Sequence, residues 1–158
     1  MCGRYRLSAV ERIEERLGLD DPDVELHPRY NIAPSQQVPI VRQFGGVRTL
    51  SIFRWGLVPF WAKGLSIGYK TINARSETVM QKPAFKQSFA ARRCLIPAHG
   101  FFEWVKDGAK KRPFDICMKD GSVRLRWLMG LLEEARYCAR GILYHSHYRA
   151  KQPDGRSP

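Results

Sequence analysis

The sequence predicts an α+β fold: a single compact, β-rich domain of mainly antiparallel strands with a few helices. Three observations predict it. Short apolar runs at residues 38–42, 47–53, 94–96, 101–105 and 113–118 are set off by turn-forming residues, as short strands are. Gly45-Gly46 joins two of these runs as a tight hairpin turn would. Helical spacing is confined to two segments, with no internal repeat or low-complexity tract.

Taken in order, Ser8 followed by Glu11 is a capping-box pattern, and Val10, Ile13 and Leu17 then recur at helical spacing. Residues 8–18 therefore read as an amphipathic helix. Residues 20–37 are rich in Asp, Pro and Asn and read as a loop. Residues 38–42 and 47–53 read as the two arms of the hairpin, and residues 54–71 as a long irregular connection holding Gly, Pro and aromatics. Connections of that length are commonly functional. Residues 76–91 have a helical look, interrupted by Pro83. Three short strands follow, and Asp120-Gly121 marks a turn after the last.

A chain of 158 residues suits one domain with a real core. The net charge of +12 points to a polyanion partner, most often nucleic acid; the bland alternative is a solvated basic face. The acids Glu11, Glu14, Glu15, Asp20, Asp21, Asp23 and Glu25 cluster early, so the basic excess lies after Tyr30. No apolar run is long enough for a membrane span, and the start has no secretory pattern, which predicts a cytoplasmic protein, nucleoid-associated if bacterial. Of the cysteines Cys2, Cys94, Cys117 and Cys138, none forms a C-x-x-C pair, so neither a zinc site nor any other cofactor is expected. Cys94 and Cys117 sit in apolar runs and read as small core residues.

Cys2 is different. Initiator methionine is normally removed before a small second residue, which would leave Cys2 with a free α-amine two carbons from its thiol. Such a 1,2-aminothiol condenses with an aldehyde: the amine forms a Schiff base, and the thiol closes a five-membered thiazolidine. The α-amine titrates near about 7.7–8.0 and is partly neutral at physiological pH, whereas a lysine near about 10.4 is not. A Met-Cys start alone is more often an ordinary frayed end.

Five segments change that balance: MCGRY at 1–5, RYNIAPSQ at 29–36, RWGLVPFWAK at 54–63, INARSET at 72–78 and RRCLIPAHGFFEW at 92–104. In this order and spacing they resemble the SRAP family (SOS-response-associated peptidase), also called abasic-site processing proteins, over roughly residues 1–121. The resemblance implies a β-rich domain with a basic channel for single-stranded DNA. It implies that the processed Cys2 cross-links to the aldehyde of an abasic site, with self-reversal, autoproteolytic and lyase-type activity as further expectations. It makes Cys2, Asn73 and Glu103 the catalytic set. Asn73 would orient the opened sugar or the amine. Glu103 would move protons during carbinolamine dehydration. Arg75 would grip a phosphate beside the lesion through its bidentate guanidinium. Arg4, Arg54, Arg92 and Arg93 are further phosphate candidates, and Trp55, Phe60 and Trp61 are base-stacking candidates that could equally be core plugs. Lys110-Lys111-Arg112 reads as a solvated turn, and His99 stands where the family usually has Asp. The expected partner is single-stranded DNA containing abasic sites, bound by a monomer.

After residue 122 the resemblance stops: the family's FAFAGLW-like strand and its catalytic His motif are missing. Residues 123–130 can be encoded so that reading one base later gives Phe-Ala-Phe-Ala-Gly-Leu-Trp. The expectation is therefore a domain at 1–122, incomplete at its C-terminus, followed by a divergent, out-of-frame tail at 123–158; a short divergent paralogue is the alternative. His145 and His147 do not match the spacing of the missing His. Other functions remain open: an N-terminal-nucleophile amidotransferase that also begins Met-Cys-Gly, a non-catalytic single-strand-binding module, and an inactive fragment.

Overall fold

Two sheets carry the chain in the computed structural model, which describes residues 3–11, 13–19, 24–117, 123–132 and 135–142. The elements are β1 (Arg4–Leu7), α1 (Ile13–Leu17), β2 (Arg29–Ile32), β3 (Gln37–Phe44), β4 (Val47–Trp55), a 3-10 helix (Leu65–Tyr69), β5 (Asn73–Arg75), α2 (Pro83–Ala91), β6 (Arg93–Ala98), β7 (Gly100–Asp107), β8 (Lys110–Ile116), β9 (Val123–Leu132) and β10 (Ala135–Ile142). One sheet runs β2-β1-β7-β8; the other runs β4-β3-β6-β9-β10-β5, with a further β4–β10 pairing. Most neighbours are antiparallel, and β10 is parallel to β4 and β5. The β-rich α+β expectation holds.

The β3–β4 hairpin is the element the sequence marks most clearly. It pairs in unbroken register from Gln37↔Arg54 to Phe44↔Val47. Gly45 and Gly46 close it at φ 56° and 86°, the left-handed backbone that a two-residue turn of this kind demands. Its buried side chains Val38, Ile40, Leu50 and Phe53 join Tyr5, Leu7, Ile32, Trp55, Ile96 and Phe101 in the main core.

Elsewhere the structure differs from the sequence reading. The expected helix over 8–18 contracts to α1, five residues that bury Ile13 and Leu17. So short a helix has little stability of its own and rests on that packing. The expected loop over 20–37 contains β2, an edge strand whose pattern of RYNI buries only Ile32 fully. Neither β1 nor β5 was signalled, because four and three residues are too few to display a period. Pro83 does not interrupt a helix but starts one: it sits at the first turn of α2, where its missing N–H costs nothing. Residues 123–132 and 135–142 pair with each other as β9 and β10, and β9 pairs with β6 from Arg93↔Leu128 to Ala98↔Val123. The Asp120-Gly121 turn and His145 and His147 lie outside the described residues. Among the described residues no helix is long and apolar enough to cross a membrane.

His99 follows β6, its backbone N–H donating to the Arg6 carbonyl at 2.9 Å and its Nδ1 accepting from the Ala9 N–H at 3.4 Å. Burial foremost, then the charges of Arg6 and Arg16, lower its pKa from 6.5 against the opposing pull of Glu11. The native state therefore takes up this proton later than the unfolded chain as pH falls. Above pH 6.5 both states are neutral at this site and it adds no pH dependence. Below it the unfolded chain binds the proton first, so stability should fall with pH until the native His99 also titrates. A urea midpoint series from pH 7.5 down to about 5 should show a downward slope that His99→Asn reduces.

Candidate active site

Trp55 is the point where the sequence motifs meet. The residue is 1% exposed, and its ring lies 5.7 Å from the Tyr5 ring at 59°, a tilted contact with the first motif. Its Nε1–H donates to the Ile72 carbonyl at 3.0 Å, fixing the residue that precedes Asn73. Its backbone carbonyl accepts from the Ser35 N–H, and its backbone N–H donates to the Gln36 carbonyl, each at 2.9 Å, which clips the RYNIAPSQ turn in place. Ser35 holds φ 71° in that turn, an uncommon backbone for a residue with a side chain. Arg29 completes the clip by donating to the Gln37 carbonyl and to Gln36 Oε1. Buried at 1%, Trp55 offers no face to a base in this structure; it is the core plug of the two readings. Phe60 and Trp61, in the same motif, are 61% and 49% exposed.

β1 is the second organiser. It pairs with β7 as Arg4↔Phe102, Tyr5↔Phe101 and Arg6↔Gly100, and with β2 at Tyr5↔Ile32. Continuing the β1–β7 count by one residue sets Gly3 opposite Glu103. Glu103 is half-buried, with Oε1 shielded from solvent, and lies two residues beyond the core residue Phe101. A Cβ on Gly3 would meet nothing within 4 Å, so the space beside this position is open among the described residues. Cys2 itself lies outside the described residues; it is one peptide unit, about 3.8 Å between Cα atoms, from Gly3.

Asn73 opens β5 beside β10, in register with Arg140, and its Oδ1 is shielded from solvent. Two links lead from it to β1: the Ile72 carbonyl to Trp55, and the Trp55 ring to Tyr5. Asn73 and Glu103 are thus each tied through the core to the strand that carries the N-terminus. Arg75, at the far end of β5, is exposed. The connection before β5 is braced where Gly56, at φ 132°, meets Gly68 so closely that a Cβ would strike the Gly68 carbonyl oxygen. Buried Thr71 adds hydroxyl bonds to the Leu57 and Ile67 carbonyls.

The remaining candidate arginines are scattered over both sheets and the end of α2. Arg4 donates to Asn31 Oδ1 at 3.0 Å. Arg54 donates to the Tyr69 hydroxyl at 3.2 Å while its guanidinium lies 5.7 Å from the Tyr69 ring centroid, so it is steadied by an exposed aromatic. Arg92 donates to Gln87, and Arg93 stacks over Phe89 at 5.9 Å. Tyr69, 62% exposed, was missed in the sequence because an isolated tyrosine in a long connection carries no signal. Cys94 is buried, and that burial pushes its thiol up to about 12, so it is inert as a nucleophile near neutrality.

A Bacillus subtilis protein named abasic site processing protein YoqW is 43% identical over 127 residues, covering 78% of this chain and 57% of its own length. The B. subtilis abasic site processing protein YobE is 40% identical over 148 residues, covering 91% of this chain and 67% of its own. The chain thus spans little more than half the length of the first of these relatives. A solved Bacteroides thetaiotaomicron structure superposes with a TM-score of 0.78 over 97% of this chain and 78% of that one, at 24% identity, a likeness of fold. The family model described as SOS response associated peptidase matches residues 1–147. The chain belongs to the SOS response associated peptidase (SRAP) family.

Proposed function

We propose that this protein processes abasic sites in single-stranded DNA by forming a covalent bond through Cys2 after removal of Met1. The observation that carries the reading is the β1–β7 register, which brings the N-terminal segment alongside the half-buried Glu103. The names of YoqW and YobE support the substrate class.

The α-nitrogen of Cys2 attacks C1 of the ring-opened deoxyribose. Glu103 delivers a proton to the departing hydroxyl, so that one water leaves and a Schiff base forms. The Cys2 sulfur then bonds to the same carbon, its proton passes to the nitrogen, and a thiazolidine closes. Asn73 orients the opened sugar or the amine by hydrogen bonds. Arg4, Arg54 and Arg75 hold flanking phosphates, and Trp61 offers a stacking face. No cofactor takes part. A lyase-type step belongs to the same proposal: an imine at C1 acidifies C2, a nearby carboxylate removes the C2 proton, and the C3–O bond breaks with the 3′-phosphate as leaving group; peptidase activity is proposed from the family description alone. The protein acts as a cytoplasmic monomer.

The test is incubation of the purified protein with single-stranded DNA bearing one abasic site, followed by denaturing electrophoresis. A denaturant-resistant adduct is expected, and protein retaining Met1 should give none. Glu103→Ala should slow adduct formation, reversal or both by about 10²-fold or more, the usual contribution of a positioned general acid. An unchanged rate in both directions removes Glu103 from the mechanism. Glutaminase activity without any adduct would instead favour the amidotransferase reading. The division at residue 122 remains a proposal about the reading frame, and the nucleotide sequence across codon 122 decides it.

A further inference from the structure

The sheet that carries the N-terminal strand holds an ion pair that the proposed chemistry does not use. Arg6 lies in β1 opposite Gly100 of β7, and Asp115 lies in β8 opposite Phe102. The sheet order β1-β7-β8 sets their backbones two strands apart, about 10 Å. Arg6 nevertheless reaches across: its Nε and Nη2 each lie 2.9 Å from Asp115 Oδ2, and its Nη1 donates to Ser8 Oγ at 2.6 Å. All three guanidinium nitrogens are thus engaged within the protein. Both members are half-buried, so solvent screens the pair less than it would a surface one.

Gly100 makes the crossing possible. It is the single glycine of β7, and a Cβ there would strike Asp115 Oδ1 and come within 3.1 Å of Arg6 Nε. The pair therefore fills the space that a side chain at 100 would take. This matters for register, because β1 pairs with β7 at only three positions. Burial of Tyr5 and Leu7 sets which face of β1 points inward, but a two-residue slip preserves that alternation. Slipped so that Arg6 met Phe102 instead of Gly100, the guanidinium would find a bulky ring in its path. The same slip would carry Gly3 about 7 Å along β7 from Glu103. A backbone bond from the His99 N–H to the Arg6 carbonyl, at 2.9 Å, ties down the same residue.

We infer that Arg6 and Asp115 are positioning residues for the proposed cross-link: laid across Gly100, the pair fixes the register of β1 and with it the placement of the N-terminal segment beside Glu103. The inference rests on the proposed function for the reaction it serves. Strand alternation puts Arg6, Gly100, Phe102 and Asp115 on the face of the sheet opposite Glu103, so neither charged group touches the reacting atoms. They act through the strand that lies between them and the N-terminus.

The experiment separates rate from affinity. Single-turnover cross-linking at saturating abasic-site oligonucleotide gives the rate; fluorescence anisotropy with an undamaged thymidine oligonucleotide across a salt series gives the affinity without chemistry. Arg6→Met with Asp115→Leu removes the pair and leaves no orphan charge, so the urea midpoint should stay near that of the wild type. Its saturating rate should fall by about 10²-fold, the effect of a misplacement of about 1 Å, while affinity and salt slope stay at the wild-type values. Gly100→Ala keeps both charges and should slow the rate in the same direction. A wild-type rate in both variants overturns the inference. So does a loss of affinity with a salt slope lowered by about 0.7, which would make Arg6 a phosphate contact. If the wild type forms no adduct, the proposed function fails by itself, and amide hydrogen exchange then decides the inference. The β1 amides should exchange about tenfold faster or more in the double variant, with those of the β3–β4 hairpin unchanged. Equal protection of β1 in the two proteins overturns it.

Discussion

Cys2→Ser should abolish the denaturant-resistant adduct completely while leaving a species that borohydride can trap. The substitution keeps the α-amine, so the Schiff base still forms. A hydroxyl is a far weaker nucleophile than a thiolate and does not close the ring efficiently, so the imine hydrolyses back when the DNA is denatured. Reduction converts that imine to a stable amine and recovers the cross-link. Blocking the α-amine by acetylation should remove both species, because nothing then attacks C1. The pattern separates three outcomes by intact mass and gel: thiazolidine, imine only, and no covalent chemistry. An adduct that survives in Cys2→Ser without reductant would place the reactive group elsewhere. Cys94 is a poor candidate for that group, since its thiol is held protonated in the core.

Trp55→Ala should be the most damaging substitution within the described core, costing about 3–5 kcal/mol of stability in urea unfolding, the range for emptying a buried tryptophan site. The loss comes from a ring 1% exposed that packs on Tyr5 at the centre of the main core. Trp55→Phe is the informative companion. It retains most of the ring but removes the Nε1–H bond to Ile72, worth about 1 kcal/mol on its own. That bond fixes the residue before Asn73, so adduct formation should fall by more than the stability change accounts for. If Trp55→Phe cross-links at the wild-type rate, the Ile72 tie does not position Asn73.

The two halves of the RWGLVPFWAK motif show how far sequence could go. Trp55 and Trp61 lie six residues apart in one aromatic-rich stretch, and composition gives no reason to separate them. The structure buries the first and leaves the second 49% exposed, because Trp55 ends β4 just past the paired hairpin, where its backbone bonds to Ser35 and Gln36 and its ring enters the core, while Trp61 lies beyond Gly56 in the connection. Glu103 shows the same limit. Its place beside aromatics was plain, but its nearness to the N-terminus depends on β1, a strand of four residues whose pairing is its only signature. The hairpin around Gly45-Gly46 was legible because turn chemistry and alternation act within a few residues of each other.

By itself the sequence marked the candidate groups: an aminothiol if Met1 leaves, an acid between aromatics, a basic surplus, and five ordered segments that mark the family. Their chemistry is a property of single residues and short spacings, so it can be read in one dimension. Only the tertiary structure decided which aromatic became a core plug and which strand lay beside Glu103. Those outcomes depend on strand register and burial, set by contacts between residues tens of positions apart, and a one-residue slip would turn every one of those side chains to the other face.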